Sequence, residues 1–159
     1  MNQNELIESV VRQVLEAAPQ AKHPQQGPMT LELARKLIDR VEQKAAEMGV
    51  RAVTAVTNAG ARPVAVACMD GSFIASYDIA LNKAYTVVAL KMSTKALKAL
   101  AHPGAPLYGV QHTNGGQIVI FGGGVPLYAD GVLIGGLGVS GGTEDEDTAL
   151  AEYGAALLG

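Results

Sequence analysis

Tryptophan is absent from this sequence, phenylalanine occurs twice, and the single cysteine stands at position 68. With aromatic residues at 4%, the chain has no supply of rings for stacking nucleic-acid bases. One cysteine excludes an intrachain disulfide and any cysteine-cluster zinc site, and a reducing compartment is the simpler expectation. Charge is also scarce. Twelve Lys and Arg against fifteen Asp and Glu leave a formal net charge of −3, with no basic run to neutralise phosphates. No apolar run approaches the roughly 18 residues of a membrane span. The first residues lack a basic region followed by a continuous apolar stretch, so no secretory leader is expected. Together these absences predict a cytoplasmic protein with neither nucleic acid nor membrane as partner.

What is present is apolar. Hydrophobic residues make up 48% of the chain and charged residues 17%, enough for a substantial core together with subunit-contact surface. Residues 4–18, NELIESVVRQVLEAA, place Leu6, Ile7, Val10, Val11, Val14 and Leu15 along one helical face. The Pro/Gln-rich stretch 19–28 then reads as a linker. A tethered helix of this length is marginal alone, so its stripe must dock on something. The expected organisation is an extension over 1–28 and one domain over 29–159.

Within the domain, Thr30 is a natural N-cap for a helix over Leu31–Met48, closed by Gly49. Residues 50–57 and 63–69 read as strands joined by NAGAR, with Cys68 expected as a small buried hydrophobe. A helix is predicted around Asp78–Met92, with Ser76 as its cap, and a shorter one from Ser93-Thr94 to about Leu100. After the loop PGAPLYGVQHTNGG, the runs QIVIF, VPLYA and VLIGGLGVS predict three strands, the last two turning at Asp130-Gly131. A terminal helix is expected over about Glu144–Leu158. The order predicts an α+β fold, an antiparallel sheet flanked by helices in three layers.

Gly136, Gly138 and Gly141 spell G-x-G-x-x-G, the pattern of a dinucleotide cradle. The rest of that unit is missing, because only one helix follows and no second strand. Glu144, Asp145, Glu146 and Asp147 would also repel phosphate at the helix start. Thr143 and Glu146 instead have capping-box spacing, and the four acids read as a solvated helix start. Gly122-Gly123-Gly124 has no following Lys-Ser/Thr, so neither NAD nor ATP is expected.

Few residues remain for chemistry. His23, His102 and His112 lack metal-ligand spacing, so no metal site is expected, yet each offers an imidazole for haem iron. Lys83 lies in an otherwise apolar helix, where it either faces a pocket or snorkels to the surface. Asp70, Asp78 and Lys83 are the candidate catalytic groups should the protein be an enzyme.

The ordered motifs Met69-Asp70-Gly71, Ser76-x-Asp78-Ile79-Ala80-x-x-Lys83-Ala84, Gly123-Gly124-Val125-Pro126, Asp130-Gly131 and Ile134-Gly135-x-x-Gly138-Val139-Ser140-Gly141-Gly142, with Asp147 beyond, carry a resemblance. From Met29 onward the chain resembles the GlcG/HbpS-like family, which also supplies the C-terminal domain of PduO-type propanediol-utilisation proteins. Cys68 departs from it, standing where an arginine commonly precedes Met-Asp-Gly. The resemblance implies a profilin-like fold with a five-stranded antiparallel sheet, and assembly into dimers and larger oligomers, octamers among them. It implies haem or corrinoid binding in some members and settles no catalytic mechanism, so the expectation leans away from an enzyme. It carries no ATP:corrinoid adenosylation, because this chain lacks the adenosyltransferase domain. Residues 4–18 resemble the short helices that direct cargo to bacterial microcompartment shells. The leading expectation is an accessory tetrapyrrole-binding oligomer of diol or glycerol utilisation, packaged in such a compartment. The alternatives are a small-metabolite enzyme with an interface pocket around Asp70, Asp78 and Lys83, and a structural or scaffolding oligomer.

Overall fold

Thr30 opens the first helix as its residue type predicts, its hydroxyl accepting from the Leu33 N–H at 3.1 Å. This helix, α1, spans Leu31–Glu47, and Gly49 leaves it at φ +74. The computed structural model describes residues 29–158, so the segment 4–18, the linker and His23 lie outside the described residues. The elements that follow are β1 (Val53–Asn58), β2 (Pro63–Cys68), α2 (Ile74–Leu90), α3 (Thr94–Ala101), β3 (Gly124–Ala129), β4 (Val132–Ser140) and α4 (Glu144–Ala156). The four strands form one antiparallel sheet in the order β2-β1-β4-β3.

Alternation along β1 divides the interior. Val56 joins Leu37 and Val41 of α1, Leu137 and Val139 of β4, and Leu150 of α4 in the larger core. Val53 and Ala55 point to the other face and meet Ala80 and Ala84 of α2. The sheet therefore lies between α1 with α4 and α2, the predicted three layers. Asp130 (φ 50) and Gly131 (φ 76) both take positive φ, which suits the tight β3–β4 hairpin the sequence announces.

The fifth strand is not there. Residues 117–121, QIVIF, form no ladder, Gln117 closing a 3₁₀ turn in a helical conformation, although Ile118 and Val119 are buried. Side chains bond single backbone groups of this segment and of the residues that follow it. The Thr86 hydroxyl accepts from Val119 N at 3.0 Å, Glu144 Oε1 from Gly122 N at 2.9 Å, and Thr94 Oγ1 from Gly124 N at 2.9 Å. Burial alone produced the strand-like apolar run. Two smaller expectations also change. α2 starts at Ile74, so Ser76 is a buried residue of its first turn, bonded to Ser140, rather than its cap. Cys68 is exposed, because it ends the edge strand β2, which has a neighbour on one side only.

The G-x-G-x-x-G glycines are packing devices. A Cβ on Gly138 would collide with the Ala80 carbonyl oxygen, and one on Gly136 with the Ala84 carbonyl oxygen. Their absence lets the α2 backbone rest directly on β4. Gly138→Ala should therefore lower stability by about 1–3 kcal/mol, the usual cost of overpacking a close contact. Urea denaturation checks this, and an unchanged midpoint would contradict the contact.

Candidate functional site

Lys83 shares the sheet-facing stripe of α2 with Ala80, Ala84 and Val87, a spacing that buries whatever stands there. Its side chain is 0% exposed. The ammonium donates to the Val139 carbonyl at 2.7 Å and to Asp147 Oδ2 at 3.0 Å, and the Phe121 ring centroid lies 5.0 Å away. Gly123 (φ +110) makes room for this arrangement, since a Cβ there would meet the Lys83 ammonium, the Val139 carbonyl and Asp147.

Asp147 sits in the first turn of α4 behind the Thr143–Glu146 capping box, which forms as its spacing predicts. Its Oδ1 accepts from Gly142 N at 2.9 Å, so both carboxylate oxygens are engaged. Burial pushes the Lys83 ammonium down in pKa and the Asp147 carboxyl up, while their attraction opposes both shifts. The pair is held by geometry against a desolvation cost.

Beside this pair lies an open cleft of about 280 Å³. Phe73, Ile79 and Phe121 give it apolar walls, and Ser76, Ser140 and Asp147 supply polar groups. The Ser140 and Ser76 hydroxyls are 3.2 Å apart and bonded to each other. At the rim, Phe73 is 71% and Ile74 97% exposed, an uncommon display of apolar surface. Glu144 closes one side, bonded to Lys98 at 2.6 Å and to Gly122 N.

The predicted residues do not all gather here. Of Asp70, Asp78 and Lys83, only Lys83 is buried. Asp70 lies in the turn after β2 and Asp78 on the exposed side of α2, and neither bonds to Lys83. The carboxylate that meets it is Asp147, one of the four acids expected at a solvated helix start. The signal was present, because a lysine in an apolar helical stripe requires a buried counter-charge. Three adjacent acids concealed which one supplies it.

His102 is the C-cap of α3, with Nδ1 2.9 Å from the Pro103 carbonyl oxygen, and His112 belongs to a short 3₁₀ turn, Val110–His112. Both rings are exposed, and between them in the chain stand Leu107 and Tyr108, 38% and 64% exposed.

A family model described as haem degrading protein HbpS-like matches residues 29–156. The chain belongs to the HbpS-like family. A Citrobacter freundii 15.0 kDa protein of the dhaT-dhaS intergenic region is 45% identical over 131 residues, 82% of this chain and 92% of that protein. The corrinoid adenosyltransferase PduO of the same organism is 33% identical over 159 residues, 99% of this chain. This chain spans about half the length of that relative, 47%. The solved PduOC:heme complex is 34% identical with a TM-score of 0.77, covering 80% of this chain and 93% of that one.

In this HbpS-like chain the Glu144 contact gives a pH signature. The hydrogen bond from Lys98 and that from Gly122 N hold the Glu144 carboxyl below the usual glutamate range. The folded state thus binds this proton less readily than the unfolded chain. The contribution is present above the ordinary glutamate pKa and is lost as pH falls through the folded-state value. Glu144→Gln should flatten the acid limb of the stability profile and cost at most about 1 kcal/mol at neutral pH, since the pair is partly exposed. Denaturation between pH 3 and 7 measures it, and an unaltered acid limb would contradict it.

Proposed function

We propose that this chain binds a tetrapyrrole, haem foremost, as an accessory protein of bacterial diol or glycerol utilisation. The observation that carries the proposal is the PduOC relative solved with heme, alike in fold and sequence over 80% of this chain. The donor set here fits such a group. His102 and His112 are exposed imidazoles in a loop that also exposes Leu107 and Tyr108, and His102 Nε2 has no bond among the described residues. One of His102, His112 or His23 would supply the axial nitrogen, and the loop's apolar side chains would cover part of a macrocycle face. Bound haem would supply an iron centre, and the chain's own part is to position and shield it.

The relation to PduO extends the proposal to corrinoids as alternative ligands. Exposed Phe73, Ile74 and Phe121 support self-association, with an octamer as one closed form. The apolar stripe at 4–18 supports docking to a shell or cargo protein, which would place the chain inside a microcompartment. The small-metabolite enzyme has weaker support, since Lys83 is enclosed and Asp70 and Asp78 are exposed.

Titration with haemin, and separately with cobalamin, tests the ligand. Stoichiometric binding with a shifted Soret band is expected for haemin. Among His23→Ala, His102→Ala and His112→Ala, one variant should lose that shift while the other two keep it. No spectral change in the unmodified protein would overturn the haem proposal. Deleting residues 1–20 should abolish partner docking while leaving the oligomer intact, and unchanged docking would refute the targeting role.

A further inference from the structure

A second cleft, lined by different residues from the one beside Lys83 and Asp147, opens between the β1–β2 turn and α2. Its volume is about 330 Å³, within the range of small-molecule sites. The turn that forms one wall is tightly specified. Asn58 Oδ1 accepts from Gly60 N at 2.9 Å and Arg62 N at 3.1 Å, and Asn58 N donates to the Arg62 carbonyl at 2.9 Å. These bonds fix the backbone from which the Arg62 side chain projects.

Arg62, Asn82, Tyr85 and Gln117 line the cleft, with Leu81 and Pro63 as apolar wall. The chemistry of this set is one-sided. No Asp or Glu lines the cleft, and Arg62 takes part in none of the ion pairs among the described residues. The side chains of Asn82 and Gln117 make no hydrogen bonds among those residues. Tyr85 accepts from Asn114 Nδ2 at 3.3 Å, which leaves its own O–H free to donate. A guanidinium, two amides and a phenol thus present free donors to one space.

We infer that this cleft binds a single carboxylate group carried on a short aliphatic stem. One guanidinium matches one negative charge and offers a carboxylate two parallel N–H donors. A phosphate dianion would bring a second charge with no second cation to meet it. The amides and the Tyr85 hydroxyl serve the remaining lone pairs, and Leu81 and Pro63 accommodate the stem. Two sources share this chemistry: a free small organic acid and a carboxylate side arm of a tetrapyrrole. The carboxylate assignment stands without the haem proposal, and only the second source depends on it.

Titration of the full chain with propionate, propionamide and inorganic phosphate, followed by amide chemical shifts, tests the assignment. Propionate should perturb amide resonances of residues 58–62, 81–85 and 117, whereas propionamide and phosphate should bind at least about tenfold more weakly, because a charge-assisted pair is lost or mismatched. Arg62→Ala should weaken propionate by about tenfold or more, and Tyr85→Phe by a smaller factor. Arg62 is exposed and its side chain makes no bond among the described residues, so the variant is expected to fold. A parallel titration compares haemin with its dimethyl ester. A preference for the free acid that Arg62→Ala abolishes identifies the tetrapyrrole arm as the source. Propionate binding with no acid–ester preference identifies a free acid. Failure of haemin to bind at all would count against the haem proposal while leaving the propionate result intact. The inference is overturned if propionamide or phosphate matches propionate, or if Arg62→Ala changes neither propionate affinity nor the acid–ester ratio.

Discussion

The arrangement of this domain depends on one buried ion pair, Lys83 with Asp147. Lys83 belongs to α2 on one face of the sheet, and Asp147 to α4, whose apolar side packs with α1 on the other. Their contact passes beside the end of β4, where the Val139 carbonyl accepts the second ammonium bond. Four parts of the chain are thereby fixed together: α2, β4, the start of α4 and the segment around Gly123. Gly123 must lack a side chain because the pair occupies the space one would take. Burial disfavours both charges, so such a pair is no guarantee of stability relative to an apolar substitute. It does penalise every arrangement that buries one partner without the other.

The same logic governs the surroundings. Gly136 and Gly138 bring α2 onto β4 closely enough for Lys83 to reach across its end. Phe121 lies over the ammonium and also lines the adjacent cleft, so the segment that failed to become a strand has its own task. Its backbone groups are bonded by Thr86, and those just beyond by Glu144 and Thr94, side chains from three helices. Cleft and core are one packing solution, with Phe73 of the cleft and the adjacent Ile74 left exposed.

Much of this was legible in the sequence. Caps at Thr30, Ser93 and Thr143, the Asp130-Gly131 turn and the apolar stripe of α1 specify local structure through contacts a few residues apart. The three-layer class followed from element order. The errors came where a tertiary contact overrides local pattern. QIVIF has strand composition, but it joins no ladder, and the Thr86 hydroxyl bonds its Val119 N–H. Ser76 has cap chemistry, but Ser140, 64 residues away, holds it inside the helix. Asp147 lies 64 residues from Lys83, and although the family resemblance includes it, the pattern of the run TEDED does not tell it from its neighbours. The Arg62 cleft was invisible for a similar reason, because its donors come from a turn, a helix and a loop.

A double-mutant cycle on Lys83→Met and Asp147→Leu, measured by urea denaturation, tests the organising role of the pair most directly. Each single variant strands a buried charge and is expected to lose about 3–5 kcal/mol, while the double variant should recover most of that loss. Strong non-additivity is the predicted result. Additive losses, or single variants as stable as the parent, would show that the fold does not depend on this contact.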